Sequence, residues 1–290
     1  MNIRDLQYFL AVADLGHFGQ AAEQCCVSQP TLSGQIKKLE EQLGVLLLER
    51  TNRRVMLSEV GQQVAQAARH ILREVDRINE IAESAHDPLA GKFRLGAFPT
   101  LSTYTFPDLV PKIKEILPNL RLILIEEKTA TLIDKLHKGE IDAAFLALPL
   151  QDNFLVSEKL YEDEFLLAVP PDHELTQFKT IDQNTLKSYR LLLLEEGHCL
   201  RDQALDVCSV HGIGEEMDFK ATGLETLRQM VKAGTGITFM PKIAINEDET
   251  GICYIPFTQP APKRSIGLVW RKTTAKKAVI DKIIREFQKD

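Results

Sequence analysis

The sequence predicts a large α/β part joined by one long helix to a smaller N-terminal part built of short helices. Three observations predict this. Residues 1–58 carry apolar residues at helical spacing, interrupted at Gly16 and Gly44. Residues 58–86 contain no Pro and only one Gly, near the start. Residues 91–290 alternate strand-like and helix-like runs.

In the first part, Leu6, Phe9, Leu10 and Ala13 share a helical face that Gly16 ends. A second short helix is expected from Phe18 to about Cys26, with Ala21 and Ala22 turned inward. The stretch VSQPTLSGQIKKLEEQLG follows. Ser28 is suited to cap its helix and Pro30 to its first turn. Leu32, Ile36, Leu39 and Leu43 form one stripe, and Gly44 stops it. LLLERTNRRVMLS then reads as two short strands around a tight Thr51-Asn52-Arg53 turn. Two helices joined by a turn and followed by a basic hairpin make a winged helix-turn-helix. There the second helix enters the major groove with its N-terminal residues on base edges. The expected contact residues are Gln29, Pro30, Thr31, Ser33 and Gln35, short side chains suited to bases and phosphates. Arg50, Arg53 and Arg54 of the wing would meet phosphate. An ordinary three-helix bundle with a polar turn fits the same pattern.

The long helix carries Val60, Val64, Ala67, Ile71, Val75, Ile78 and Ala82 at spacings of 4, 3, 4, 4, 3 and 4. That is close to a coiled-coil seam, so the helix is expected to pair between two subunits; packing on its own domain is the alternative. Asp87-Pro88-Leu89-Ala90-Gly91 ends it.

Beyond residue 91, strands are expected at KFRLGAFP, RLILIEE, IDAAFLAL, EFLLAVP, YRLLLLEE, DFKAT, GITFMP, GICYIPF and RSIGLVWR. Helices are expected at TATLIDKLHKG, LETLRQMVKAG and the C-terminal TAKKAVIDKIIREFQKD. Such a length could make one sheet or two lobes. Ligands of α/β folds bind at the C-terminal ends of strands. Pro99-Thr100, Lys128-Thr129 and the segment at Cys199 all stand there, which points to one shared pocket.

Bulk composition narrows the classes. Apolar content of 44% and charged content of 26% suit a soluble globular chain of about two domains. No apolar run spans a bilayer and the N-terminus has no signal-peptide core, so no membrane is expected and a cytoplasmic location is. There disulfides are transient and catalytic or sensing. Net charge is −6, and residues 1–60 hold six Lys/Arg against seven Asp/Glu. Any nucleic-acid contact must therefore use a local patch, such as RTNRR at 50–54. There is no Gly-rich phosphate loop, nucleophile elbow or HExxH zinc motif, so neither cofactor nor metal is expected.

The runs AVADLGHFGQAAEQ, VSQPTLSGQIKKLEEQLG and LLLER resemble the DNA-binding domain of the LysR-type transcriptional regulators, without a gap over nearly 60 residues. The resemblance implies a winged helix-turn-helix over 1–58, a linker or dimerisation helix over 59–87 and an effector domain over 88–290. That domain would be two-lobed and periplasmic-binding-protein-like, with lobe I at about 91–162 plus 267–290 and lobe II at about 163–266. EEGHCLRDQALDVC, followed by ATGLETLRQMVKAGTGIT, is similar to the hydrogen-peroxide-sensing members of the family over essentially the whole chain.

By that resemblance Cys199 is the peroxidatic thiol and Cys208 the resolving one. Thr100, Thr129 and His198 would line the peroxide pocket, and Arg264 would stabilise the thiolate. The chain departs at Asp218, where some relatives carry a histidine. The expected partners are promoter DNA, hydrogen peroxide, RNA polymerase, a dithiol reductant system and further copies of the chain. Those copies form a homodimer through the linker helix and a homotetramer on DNA.

The spacing of the two cysteines has a physical consequence. Nine residues along a helix separate Cα atoms by about 13.5 Å, whereas a disulfide needs roughly 4.4–6.8 Å. Bond formation must therefore refold the segment. Cys199 at a helix N-terminus would be favoured as a thiolate, with Arg201 adding positive charge. Other readings remain: a buried inert pair, or a zinc site of His198, Cys199, Cys208 and His211 whose spacing matches no common motif. A regulator answering a small metabolite, and a thiol peroxidase, would use the same residues differently. Cys25 and Cys26 read as structural, Cys253 as core, and the histidines at 17, 70, 86, 137 and 173 as solvated surface groups.

Overall fold

The computed structural model describes the backbone of residues 1–50, 55–211, 214–246 and 248–288; side chains are described over these ranges except at 50, 80, 83–86, 206–211, 214–218 and 220. The chain forms two compact units, Met1–Ala82 and Glu83–Asp290.

The first unit opens with α1 (Ile3–Leu15), α2 (Phe18–Gln24) and α3 (Gln29–Leu43). A reciprocal cap starts α1. The Asn2 side chain accepts from the Asp5 N–H at 2.9 Å and the Asp5 carboxylate from the Asn2 N–H at 2.8 Å. Gly16 ends α1 at φ +60°, a conformation that costs glycine nothing. The second helix stops short of the expected Cys26: Cys25 caps it and Cys26 takes φ +54°. His17 is not a bare surface group, because its Nδ1 accepts from the Gly19 and Gln20 N–H groups and caps α2. The apolar stripes meet in one core containing Phe9, Val12, Ala21, Leu32, Ile36 and Leu39.

β1 (Leu48–Arg50) and β2 (Val55–Leu57) pair antiparallel. The turn expected at Thr51-Asn52-Arg53 lies outside the described residues. Glu40, buried on α3, pins the hairpin by accepting from the N–H groups of Leu47 and Leu48 at 2.8 and 3.1 Å. α4 (Glu59–His86) leaves at Gly61, where a Cβ would stand 2.0 Å from the Leu47 carbonyl oxygen. On α4, Ala65 and Ala68 pack into the core, while Val60, Ile71 and Ile78 are exposed at 42, 41 and 66%. The stripe read as a seam is thus largely uncovered in a single chain.

The second unit alternates β3 (Gly91–Ala97), α5 (Pro99–Ile116), β4 (Leu120–Glu126), α6 (Thr129–Lys138) and β5 (Ala143–Leu148). β6 (Leu155–Val169) comes next, then β7 (Arg190–Leu194), α7 (Cys199–His211), β8 (Gly214–Ala221), α8 (Leu224–Lys232), β9 (Thr238–Pro241) and β10 (Cys253–Pro256). β11 (Lys263–Arg271) and α9 (Lys277–Phe287) close the chain. The main sheet runs β10-β6-β11-β5-β3-β4, with β9 also on β6, and β7 pairs parallel with β8.

Two buried clusters answer whether this part has one lobe or two. One contains Phe93, Leu95, Phe145, Leu268 and Ile283. The other contains Leu167, Leu191, Leu200, Val231 and Phe239. β6 threads both: Leu155 lies in the first and Phe165 to Val169 in the second. This strand is twice the length expected, because its first half, LVSEKLYEDE, pairs with β11 and needs little apolar alternation. α5 carries Pro107 and Pro111, which hide its helical character from a reading of the sequence.

His137 and His173 also have partners: His137 Nε2 lies 2.6 Å from Asp152, and His173 Nδ1 accepts from the Leu175 N–H at 3.2 Å. No helix is long and apolar enough to cross a membrane among the described residues.

Candidate functional site

Two sets of residues carry chemistry. The first is the N-terminal turn of α3. Ser28 caps it, its Oγ accepting from the Thr31 N–H and lying 2.7 Å from Thr31 Oγ1. Gln29, Pro30 and Thr31 are exposed; Ser33 and Gln35 are half-buried. Gly34 sits on the same stretch with nothing within 4 Å of where a Cβ would be, a gap that lets another molecule approach the helix backbone. Sequence reasoning passed over Gly34, although an exposed glycine inside a helix is itself a signal. The wing residues Arg53 and Arg54, and the side chain of Arg50, lie outside the described residues.

The second set surrounds Cys199, the first residue of α7. Leu200 and Ala204 of this helix pack in the second core, yet Cys199 itself packs against the first. The thiol therefore stands where the two lobes meet. Arg264 on β11 is fully buried. Its guanidinium donates to Asp163 (Nε to Oδ2, 2.9 Å), to Thr100 Oγ1 at 3.0 Å and to the Thr100 carbonyl at 3.2 Å. Phe98 and Phe165 flank it, with ring centroids 5.2 and 5.8 Å away. Because Thr100 Oγ1 accepts from Arg264, its own proton remains to be donated. The Thr129 hydroxyl opens α6, is buried, and has no oxygen or nitrogen partner among the described residues.

Burial pushes the Cys199 thiol above its ordinary pKa, while the Arg264 charge and the Thr129 hydroxyl pull against it. The Asp202 carboxylate adds to the rise, and the Arg264 charge is itself paired with Asp163 at 2.8 Å. His198 is buried, and burial followed by the Lys128 charge lowers its pKa. Its Nε2 lies 4.0 Å from Glu195 and has no hydrogen-bond partner among the described residues. Arg201, the second cation expected near the thiol, donates from its Nη1 to the Leu194 carbonyl at 3.0 Å.

The loop before α7 is fastened across the lobes. Lys128 Nζ donates to Glu195 at 2.6 Å and to the Glu196 carbonyl at 3.0 Å. Gly197 makes room for this, with φ +88° and a Cβ position only 3.1 Å from Lys128 Cδ. Lys128 and Asp163 were both missed as participants. A lysine at a helix N-cap opposes the dipole, a signal that its charge is used elsewhere; Asp163, inside the acidic run EDE, gave none.

The structure thus brings together Thr100, Thr129, Cys199 and Arg264, with His198 beside them. Cys208 lies within α7, nine residues on, and its side chain is outside the described residues, as are those of His211 from the zinc reading and of Asp218, where some relatives carry a histidine. Cys25 is partly buried, Cys26 exposed and Cys253 partly buried against the second core.

Comparison with known proteins follows this division. The family described as bacterial regulatory helix-turn-helix protein, lysR family, matches residues 3–62. The LysR substrate binding domain matches residues 86–290. The hydrogen peroxide-inducible genes activator of Dickeya chrysanthemi is 42% identical over 273 residues, covering 93% of this chain and 90% of that protein. A full-length OxyR variant from Pseudomonas aeruginosa is 36% identical with a TM-score of 0.76, over 99% of this chain and 95% of that one. A hydrogen-peroxide-bound OxyR variant from Corynebacterium glutamicum is 29% identical with a TM-score of 0.67, over 99% of this chain and 92% of that one.

Proposed function

The chain belongs to the LysR family of bacterial helix-turn-helix regulators, and from that premise we propose a transcriptional activator that senses hydrogen peroxide through Cys199. The observation that carries this reading is the placing of Cys199, whose helix packs in one lobe while its side chain packs against the core of the other. Chemistry at that atom must alter how the lobes fit.

The thiolate of Cys199 attacks one oxygen of hydrogen peroxide. The O–O bond breaks, sulfur becomes a sulfenic acid, and hydroxide leaves. Thr100, with its proton free, and Thr129, whose hydroxyl lies within hydrogen-bond reach of the thiol, are the donors suited to hold the peroxide oxygens. The Cys208 thiolate then attacks the sulfenic sulfur, an S–S bond forms and a second hydroxide leaves. Two thiols and one peroxide give one disulfide and two waters. Neutral His198 adds no charge to compete with Arg264. Closing the bond demands that α7 unwind, because its two cysteine positions are about 13.5 Å apart while helical. The refolded segment biases the lobe packing, and through it the spacing of the DNA-binding units.

On this reading the α3 residues Gln29, Pro30, Thr31, Ser33 and Gln35, with wing residues Arg50, Arg53 and Arg54, contact promoter DNA. The uncovered residues Val60, Ile71 and Ile78 are the face on which two chains pair. Two such dimers make the tetramer that presents the activated form to RNA polymerase. A dithiol reductant system resets the disulfide. One oxidation per reduction cycle suffices for such a switch, so the chain acts as a regulator rather than as an enzyme.

Thiol trapping and peptide mass mapping after a near-stoichiometric dose of hydrogen peroxide test the proposal. The expected result is a rapid Cys199–Cys208 disulfide with Cys25, Cys26 and Cys253 left free. Slow and equal reaction at all five cysteines would overturn it and leave a regulator answering a metabolite.

A further inference from the structure

The N-terminal unit holds an open cavity of about 660 Å³ between α1, the end of α2 and α4. Tyr8, Leu10 and Leu72 give it a largely apolar wall, and Arg4 and Asp14 add one charge of each sign. Cys25 and Cys26 line it together, and neither is in a disulfide. Neighbouring residues rarely share a wall: side chains alternate faces along a strand and stand about 100° apart around a helix. Here the chain leaves α2 between the two. Cys26 takes φ +54°, a left-handed conformation uncommon outside glycine. The turn is held by the Cys26 N–H on the Glu23 carbonyl and the Val27 N–H on the Ala22 carbonyl, both at 3.0 Å.

That placement selects the chemistry. Cys25 is partly buried and Cys26 exposed. Burial raises the Cys25 pKa, and the neighbouring Cys26 sulfur raises it further. Peroxide reacts with a thiolate rather than a thiol, so the pair is poorly suited to it. A structural zinc needs four ligands, and no group of three or more His, Cys, Asp and Glu that could hold a metal ion exists among the described residues. A partly buried thiol and its neighbour on one wall suit an atom that binds two sulfurs at a narrow angle and disposes of their protons as it does so. Trivalent arsenic, soft and sulfur-seeking, is such an atom.

We propose that Cys25 and Cys26 form a site for a monosubstituted trivalent arsenical, an organic group carried on As(OH)2. Each sulfur forms one bond to arsenic. Each As–OH bond breaks, and each hydroxide leaves with one thiol proton as water. Arsenic stays trivalent and nothing is oxidised or reduced, so the site does not depend on the chemistry of Cys199. The organic group lies along Tyr8, Leu10 and Leu72. Only Val27 separates the pair from Ser28, the cap of α3. The ring closed through Cys25, arsenic and Cys26 therefore clamps the turn that aims α3.

The test treats the full-length, fully reduced chain with phenylarsine oxide, followed by intact-mass measurement and peptide mapping. One phenylarsine should attach to the peptide carrying Cys25 and Cys26, withstand excess glutathione and come away with ethanedithiol. Cys26→Gly removes one sulfur while suiting the left-handed backbone, so this variant should fold; Cys26→Ser removes the sulfur and keeps a polar side chain. With one sulfur left, both should hold the probe at least about a hundredfold more weakly and release it to glutathione. An adduct that glutathione strips from the wild-type chain, that both variants keep undiminished, or that maps instead to the peptide carrying Cys199 and Cys208 would overturn the proposal.

Discussion

Substituting Leu200 with alanine should move the redox midpoint of the cysteine pair. Leu200 is 3% exposed and packs with Ala204 in the second lobe's core. Truncating a buried leucine costs about 2–3 kcal/mol where the site relaxes partly. That cost falls on the reduced form, in which α7 is intact. If α7 must leave its seat for Cys199 to reach Cys208, the oxidised form has already given up the contact. The substitution then favours oxidation. At 30 mV per ~1.4 kcal/mol for a two-electron couple, the midpoint should become about 45–65 mV more negative. Equilibration in glutathione buffers, with alkylation of the remaining thiols, reads the midpoint directly. Thermal melts of both states give an independent check, since only the reduced chain should lose stability. A midpoint unmoved while both states lose stability equally would mean that α7 stays packed, and would refute the refolding argument.

Other substitutions probe other links. Cys199→Ser should abolish the transcriptional response to peroxide, and Cys208→Ser should leave a sulfenic acid without a disulfide, read by sulfenic-acid trapping and mass mapping. The rate of Cys199 oxidation should climb about tenfold per pH unit until the thiol ionises, because burial holds its pKa above the ordinary value. Any stability carried by that raised pKa is present below the unfolded value and lost as pH rises through the folded one; stopped-flow rates and alkaline melts read the two effects. Glu40→Ala strips the Leu47 and Leu48 N–H groups of their acceptor. It should destabilise the DNA-binding unit by about 1–3 kcal/mol and weaken DNA binding, measured by anisotropy, without slowing Cys199 oxidation. Arg228→Met removes a buried cation bonded to Glu249, Tyr104 and the Ala244 carbonyl and should cost about 3–5 kcal/mol. Burial opposes ionisation of Glu249, yet Arg228 and Tyr254 hold its pKa low. The wild-type chain should thus lose this stabilisation as pH falls through the depressed value, a loss missing from the acid melts of the variant.

The helical N-terminal unit was legible because each device there is local. Ser28 caps α3, Gly16 and Gly44 end helices, and Leu32, Ile36 and Leu39 keep one face. The thiol pocket was legible in part. Thr100, Thr129 and Cys199 could be singled out because each opens a helix after a strand. Asp163 could not, because its meaning comes from Arg264, a hundred residues away along the chain, and from a strand whose first half lacks an apolar pattern. The same holds for Arg201, whose acceptor at the Leu194 carbonyl is set by the fold and not by its nearness to Cys199 in sequence. The histidines at 17, 137 and 173 were read as idle because a cap or an ion pair with Asp152 needs the backbone in place first.

On the proposed Cys199–Cys208 switch, the continuity of α7 through both cysteine positions sets how long the protein remembers. A helix of this size relaxes in about a microsecond or less. An unassisted disulfide exchanges over roughly minutes to hours. Shape and bond therefore live on clocks that differ by many orders of magnitude, and the slower one governs. Once the bond closes, the segment cannot return to its helix however fast it fluctuates, and once the bond opens the helix returns at once. The duration of the signal is then decided by the supply of reductant rather than by the oxidant that began it. A brief pulse and a long exposure leave the same mark on each chain; only the fraction of marked chains differs.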